Sequence, residues 1–215
     1  IYESLVERSS AGKFIPHLAS KITRSADAKE WTFALRPGIK YSNGEEFNAA
    51  NVKLNIDFGR SGFGTLNGAP FATNNTAGYP STGIGVNSNI MSVDVVDNLA
   101  VKVTLERGDT EFLGLMYRAG RYVMRANEQI ADSKTCSSNP IGTGPFMKQS
   151  FSADELIVVK NPNYWRTDAK GGKLPYLDKI TFINIKESSS RAAAVRTGAV
   201  DAAFFTTGDA TFILD

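Results

Sequence analysis

The chain has 215 residues, of which 42% are hydrophobic and 21% are charged, and its formal net charge at pH 7 is +2. These values are typical of a globular protein, and the near-neutral charge gives no support to a nucleic-acid partner. Because no run approaches 18 consecutive apolar residues, the sequence predicts no transmembrane helix. With one histidine, His17, and one cysteine, Cys136, it also lacks the clusters of these residues that bind zinc.

Neither of these two single residues defines a functional site. We interpret His17 as a surface or packing residue and Cys136 as a structural or incidental thiol. For Cys136, the alternatives are a disulfide to a cysteine outside this piece and a reactive thiol. Carboxylate pairs such as Glu45 and Glu46 lie in predicted turns, where solvated charge is the ordinary explanation. We therefore expect no enzyme activity, no cofactor and no metal site.

The first sixty residues predict strands followed by one helix. Residues 1–6 alternate weakly, and residues 31–35 place a large apolar side chain at every second position, the pattern of a half-buried strand. Asn48 is a suitable N-cap for a helix over residues 49–59.

Residues 61–89 differ from the rest of the chain because they are rich in glycine, asparagine, serine and threonine. They contain no GxxxxGK[ST] phosphate-binding motif, and no predicted strand leads into a helix there. Loops this long in compact domains are usually functional or disordered. We interpret the segment as a variable surface insertion, with a loop that caps a ligand cleft as the alternative.

The middle of the chain predicts a hairpin, a helix and a short strand. Residues 90–96 and 100–105 form the hairpin around an Asp-Asn turn. Asp109 is placed to cap a helix over residues 110–118, and a strand over residues 121–124 follows.

The last third of the chain predicts a β-rich region with one helix. After a glycine-proline turn, strands are predicted over residues 146–151, 155–160, 180–185 and 200–205, with a helix over residues 191–197. The last of these strands is apolar at nearly every position, which is typical of burial on both faces. We expect these strands and the opening strand to share one mixed sheet.

Five stretches, in order along the chain, resemble one known family. They are IYESL at residues 1–5, PHLA at 16–19, WTFALRPGIKYSNGEEFNAANV at 31–52, IGTGPFMKQSFSADELIVVKNPNYW at 141–165 and LPYLDKITFINIKESSSRAAAVRTGAVD at 174–201. The resemblance is to the extracellular solute-binding proteins, family 5, of peptide, nickel and oligosaccharide ABC importers. It covers roughly 100 of the 215 residues, from one end of the chain to the other.

This resemblance implies an α/β fold, namely the first lobe of a two-lobed, type II periplasmic-binding-protein-like fold with a mixed sheet. Residues 1–12 and 139–215 match the sheet subdomain of that lobe, and residues 13–138 match a subdomain inserted into it. The second lobe is missing from the chain, and the sequence does not begin with methionine, so we expect it to be a piece of a longer protein.

The resemblance also implies a function, the substrate-binding component of an ABC importer that captures a small solute outside the membrane and delivers it to the permease. A peptide is the expected solute and the protein is expected to be a monomer. Its expected location is extracytoplasmic, either in the periplasm or lipid-anchored at the outer face of the cell membrane. A non-transport ligand sensor on the same fold is the alternative, and a hydrolase fragment is a further one.

The expected ligand-binding residues are those that fall where the family's first lobe lines its cleft. They are Tyr117, Arg118, Arg121 and Tyr122 after the predicted helix, and Tyr2 and Glu3 in the opening strand. Two arginines and two tyrosines within six residues offer charge, hydrogen-bond and stacking contacts to a polar or carboxylate-bearing ligand. The alternative interpretation is a surface of arginines with half-buried tyrosines, in which Glu3 is structural.

Overall fold

The structure is a computed structural model that describes residues 1–60, 65–66, 69–70, 89–117, 122–132 and 138–206. The chain forms two compact units, Ile1–Met147 with Lys160–Asp178 and Lys148–Val159 with Lys179–Asp215. Within the described ranges, no helix is long and apolar enough to cross a membrane.

The described chain forms groups of strands that are separated by helices. The strands are β1 (Val6–Arg8), β2 (Phe14–Pro16), β3 (Ala19–Arg24), β4 (Glu30–Leu35), β5 (Thr65–Leu66), β6 (Ala69–Pro70), β7 (Ile90–Asp97), β8 (Ala100–Leu105), β9 (Phe146–Phe151), β10 (Glu155–Lys160) and β11 (Lys179–Ile183). The helices are α1 (Ala49–Arg60), α2 (Phe112–Leu115), α3 (Asn127–Ala131) and α4 (Ser188–Arg196).

The first unit is built on an antiparallel sheet with the strand order β3–β4–β8–β7. In β4 the expected alternation is present, since Trp31, Phe33 and Leu35 are buried and the residues between them are half-buried. Trp31 lies opposite Val103 and Phe33 lies opposite Val101, so one face of the sheet is continuously apolar.

Helix α1 contributes its apolar face to the same core. Val52 and Ile56, four residues apart, are both fully buried in the cluster that contains the sheet side chains. The helix begins as expected from the sequence, because Oδ1 of Asn48 accepts a hydrogen bond from the backbone N–H of Asn51 at 3.0 Å.

The second unit contains most of an antiparallel sheet with the order β11–β10–β9, together with helix α4. The helix confirms the prediction over residues 191–197 in position and type. Thr197 is its C-cap residue, and both Ala199 and Val200 donate backbone hydrogen bonds to the carbonyl of Ala194. The chain therefore leaves the helix through a tight turn at Gly198, whose φ of 71° suits glycine.

The expectation that five strands share one mixed sheet is wrong. Strand β1 pairs with β2 in a separate hairpin, in the register Val6 opposite Pro16, and residues 200–205 form no strand. Phe204 is 83% exposed, so this segment is not buried on both faces. An apolar run becomes a strand only where a neighbouring backbone offers hydrogen-bond partners, which a local sequence pattern does not encode.

The region before the candidate site also differs in detail from the expectation. Helix α2 is four residues long, and Glu111 rather than Asp109 occupies its N-cap position. In place of the strand predicted over residues 121–124, the described part of that segment makes an isolated bridge between Val123 and Ser4. The expected subdomain boundaries, 1–12 with 139–215 and 13–138, stay a prediction.

Candidate functional site

The opening segment of the chain is held between two others through its backbone. The carbonyl of Ile1 accepts a hydrogen bond from Gly144 N–H at 2.7 Å, and the carbonyl of Glu3 accepts one from Met124 N–H at 2.8 Å. A Cβ atom at Gly142 or Gly144 would lie 2.4 or 2.5 Å from the Ile1 oxygen. The GTG turn is therefore required by this close approach and not by a positive φ.

Five side chains, here called the Glu3 cluster, meet around one carboxylate: Glu3, His17, Thr143, Tyr164 and Trp165. Oε1 of Glu3 lies 2.9 Å from His17 Nε2 and accepts a hydrogen bond from the Tyr164 hydroxyl at 3.1 Å. Oε2 accepts hydrogen bonds from Thr143 Oγ1 and Trp165 Nε1, each at 2.9 Å. The Glu3 side chain is 8% exposed, so the carboxylate is buried and fully hydrogen-bonded.

These contacts decide how the acidic groups of the cluster titrate. Burial by itself would raise the pKa of Glu3, but hydrogen bonds from His17, Trp165 and Thr143 and the His17 charge together lower it below its ordinary value. Burial and the neighbouring Glu3 carboxylate raise the pKa of the Tyr164 hydroxyl. Glu3 is thus held as a carboxylate and Tyr164 as a neutral donor.

His17 bridges this cluster to a second carboxylate. Its Nε2 lies 2.9 Å from Glu3, and its Nδ1 lies 2.9 Å from Oε2 of Glu7. The doubly protonated ring satisfies both contacts because it has two N–H donors, whereas the neutral ring has one. Since His17 is 8% exposed, the packing interpretation applies and the surface interpretation does not.

Tyr2, next to Glu3, has different neighbours. Its hydroxyl donates a hydrogen bond to Oε1 of Gln129 at 2.7 Å, and the guanidinium of Arg125 lies 5.7 Å from the centre of its ring. Gln129 is fully buried, and its Oε1 also accepts a hydrogen bond from the backbone N–H of Ile141 at 3.1 Å. Tyr2 is therefore half-buried, in a position set by a buried amide.

Two asparagines of helix α1 hold the backbone of Arg125. The Asn55 side chain donates to the Arg125 carbonyl and accepts from the Arg125 N–H, both at 2.9 Å. Asn51 donates to the same carbonyl at 2.9 Å and to Oδ1 of Asn127 at 2.8 Å, and the Tyr41 hydroxyl donates to Asn51. This asparagine clamp (Asn51 and Asn55) fixes the segment that follows the expected ligand-binding residues.

Four residues of the preceding segment, 117, 118, 121 and 122, were expected to bind ligand, and the structure bears on two of them. Arg118 and Arg121 lie outside the described residues. Tyr117 is 37% exposed, with its ring centre 5.5 Å from that of Phe14, and its role in ligand binding stays a prediction. Tyr122 is 6% exposed and belongs to the hydrophobic core.

The expectation that Tyr122 faces an open cleft is therefore wrong. A Cβ atom at Gly59 would lie 2.7 Å from Cε1 of Tyr122, so the glycine in helix α1 makes room for the ring. A large aromatic ring gains more free energy from such a packed position than from exposure.

The expectation that Glu3 contacts the solute is corrected as well, in favour of the structural alternative. Each of its two carboxylate oxygens already has two contacts with protein side chains. A carboxylate that is saturated in this way and 8% exposed offers no acceptor to a ligand. Tyr2 remains a candidate from the opening segment.

The asparagine clamp and the buried Gln129 were not predicted from the sequence. The available signal was a pair of asparagines at positions i and i+4, each next to a core residue of the same helix. Among the described residues, no group of three His, Cys, Asp or Glu side chains could hold a metal ion. The arrangement consists of hydrogen-bonding groups that position backbone segments.

The chain has clear relatives. The sequence model of bacterial extracellular solute-binding proteins, family 5 Middle, matches residues 13–214. The chain belongs to this family, as its resemblance implied.

Two relatives are known by what they bind. The nickel-binding periplasmic protein of Escherichia coli (strain K12) is 30% identical over 204 residues, which is 94% of this chain and 35% of the relative. The glutathione-binding protein GsiB of Salmonella typhi is 29% identical over 188 residues, which is 87% of this chain and 33% of the relative. The chain thus spans about a third of the length of these relatives.

Solved structures agree with this assignment. NikA from Brucella suis in complex with Fe(III)-EDTA has a TM-score of 0.74 at 28% identity, covering 93% of this chain and 36% of that one. DppA from Helicobacter pylori in complex with the peptide STSA has a TM-score of 0.72 at 26% identity, covering 93% and 40%. The α/β fold and its assignment to one lobe of a periplasmic binding protein are confirmed.

Proposed function

We propose that the full-length protein is the substrate-binding component of an ABC importer. The protein is a monomer that captures a small solute outside the membrane and delivers it to a permease. The match to the family over residues 13–214 carries this proposal, because its relatives are binding proteins. The location is extracytoplasmic, in the periplasm or on a lipid anchor at the outer face of the membrane.

The proposed solute is a peptide or a peptide-like molecule. Support comes from the likeness to DppA in complex with the peptide STSA and from the similarity to a glutathione-binding protein, since glutathione is itself a tripeptide. The nickel-binding relative makes a chelated metal the second candidate solute.

We propose that Tyr117, Tyr2, Arg118 and Arg121 contribute the first lobe's contacts to this solute. Tyr117 and Tyr2 each keep part of their surface accessible. The two arginines supply the charge that a peptide carboxylate requires, since a guanidinium binds a carboxylate through two parallel hydrogen bonds.

The experiment is a calorimetric titration of the full-length protein with three kinds of solute: short peptides, glutathione and nickel chelates. Saturable binding of one kind, with the solute recovered unchanged by chromatography, is the expected result. Cleavage of the solute would instead identify a hydrolase. Binding without any loss of solute uptake on deletion of the gene would identify a sensor.

A further inference from the structure

A pocket of about 210 Å³ lies within the first unit, beside the Glu3 cluster. This volume is below the range typical of drug-sized ligands, so the pocket suits a smaller molecule. Its walls come from the β1–β2 hairpin, the residue after β4, and the stretch that follows the NPNY turn. The lining residues are Glu7, Pro16, His17, Arg36, Trp165, Arg166 and Thr167.

Two guanidinium groups share the indole ring of Trp165 in this pocket. The central carbon of Arg36 lies 5.2 Å from the ring centre, and that of Arg166 lies 5.8 Å from it. Nε of Arg36 also donates a hydrogen bond to the carbonyl of His17 at 2.6 Å. Arg36 is therefore held in place through its Nε and its stacked face, an arrangement that uses neither of its terminal nitrogens.

The carboxylates around the pocket are engaged by groups other than Arg36. Glu7 lies 2.9 Å from Nδ1 of His17 and 3.5 Å from Nη1 of Arg166, and the Glu3 carboxylate is saturated within its cluster. Among the residues that the structure describes, no carboxylate lies within 4 Å of the Arg36 guanidinium. Glu7 is thus engaged by His17 and Arg166, whereas the guanidinium of Arg36 has no carboxylate beside it among the described residues.

We propose that this pocket binds the carboxylate of a small organic anion, with the terminal nitrogens of Arg36 as its main hydrogen-bond donors. A guanidinium fork matches the two oxygens of a carboxylate. The surface of the pocket is mainly polar, which suits a small, charged ligand. Tyr2 and Tyr117, the described residues of the proposed solute site, do not line this pocket, so the inference does not depend on the proposed function.

Butyrate is the probe, because it carries a single carboxylate and is small. The readout is the indole N–H resonance of Trp165 in the ¹⁵N spectrum of the full-length protein, with that of the buried Trp31 as internal reference. Each resonance is assigned by its loss in a Trp165→Phe or Trp31→Phe variant. We expect butyrate to move the Trp165 resonance along a saturable curve and to leave the Trp31 resonance in place.

Sodium chloride at the same ionic strength is the control for screening. A shift of equal size with chloride, or a shift with butyrate that does not saturate, would overturn the proposal. So would saturable binding that moves neither indole resonance, because the anion would then bind elsewhere.

Two variants locate the binding within the pocket. Arg36→Gln should weaken butyrate binding at least about tenfold, as expected for the loss of a charged hydrogen-bond donor. Arg24→Gln is the matched control, because Arg24 lies 5.7 Å from the ring centre of Trp31 and outside the pocket. Unchanged affinity in Arg36→Gln would contradict the proposal.

If Arg36→Gln fails to fold, a second variant that should raise the affinity for butyrate, and not lower it, still tests the proposal. Glu7→Gln removes the carboxylate that competes with the bound anion for the pocket's cations. It should tighten butyrate binding about two- to fivefold, the size typical of one partly exposed charge. Weaker or equal binding in Glu7→Gln would overturn the assignment of the anion to this pocket.

Discussion

The Glu3 carboxylate accepts contacts from four side chains while its own side chain is 8% exposed. An amide in its place would retain one acceptor oxygen but would turn an NH₂ group toward neighbouring donors. A buried donor without an acceptor loses its hydration and gains no hydrogen bond in return. Replacing Glu3 by glutamine should therefore lower the free energy of unfolding.

We predict that Glu3→Gln lowers the free energy of unfolding by about 1–3 kcal/mol at neutral pH. Urea denaturation followed by circular dichroism measures the change. The control is Glu30→Gln, which removes an exposed ion pair with Lys102 and should cost at most about 1 kcal/mol. Equal losses in the two variants would show that the Glu3 cluster is no more stabilising than a surface pair.

The same residue predicts a pH dependence. The pKa of Glu3 lies below its ordinary value of 4.5, so its contribution to stability is present above that value and is lost as the pH falls through the folded pKa. The stability difference between the parent protein and Glu3→Gln should therefore shrink below about pH 4.5. Urea titrations at successive pH values measure it, and a difference that grows on acidification would contradict the assigned direction.

A second residue-level prediction concerns the proposed solute contacts. Replacing Arg121 by alanine should weaken solute binding by about 1–3 kcal/mol if its guanidinium pairs with a solute carboxylate, with little change in melting temperature. Arg107→Ala, on an exposed turn after β8, is the control. Unchanged affinity in both Arg121→Ala and Arg118→Ala would favour the alternative interpretation, a surface of arginines.

At the scale of elements, helix α1 carries both the core of the first unit and the asparagine clamp. Val52 and Ile56 pack on the sheet, while Asn51 and Asn55 bind the backbone of Arg125. One helix thus links the sheet to the segment that follows the proposed ligand-binding residues. Loss of the clamp should loosen that segment without removing any apolar contact.

We predict that Asn55→Ala lowers the free energy of unfolding by about 1–3 kcal/mol, because it leaves the part-buried N–H of Arg125 without its acceptor and the Arg125 carbonyl with Asn51 as its remaining asparagine donor. It should also weaken solute binding, measured by calorimetry at a temperature where the variant is folded. Asn184→Ala removes an exposed hydrogen bond to Ala153 and is the control. Lower stability with unchanged affinity would show that the clamp does not position the site.

The elements that the sequence predicted well are those whose signal is local. The cap at Asn48, the alternation in β4 and the β7–β8 hairpin depend on neighbours a few residues apart. The strand expected over residues 200–205 does not form. Whether such a run becomes a strand depends on a partner strand from another part of the sequence. The asparagine clamp was missed for the same reason, since Asn55 and Arg125 lie 70 positions apart.

The family motifs indicated which distant segments of the chain come together, which hydrophobic periodicity cannot do. They did so for whole segments and not for individual side chains. They placed Glu3, His17 and Trp165 in motif stretches far apart in the sequence, and the structure brings these residues together. They did not show which side of a segment faces inward. Tyr122 was therefore assigned to a cleft although Gly59 leaves room for its ring in the core.

At the scale of the whole molecule, the chain spans about a third of the length of its nickel-binding and glutathione-binding relatives. In a two-lobed binding protein, a bound solute contacts both lobes and thereby stabilises the closed state. A single lobe can provide its own contacts to the solute but cannot close over it.

We therefore predict that the 215-residue chain binds the solute of the full-length protein at least roughly a hundredfold more weakly, which corresponds to about 2.7 kcal/mol of lost contacts. Calorimetric titrations of both proteins with the same solute measure the ratio. A thermal melt of the shorter chain is the control, because an unfolded chain would also fail to bind. If the folded 215-residue chain binds as tightly as the full-length protein, the first lobe is sufficient for recognition and closure of two lobes adds nothing to the affinity.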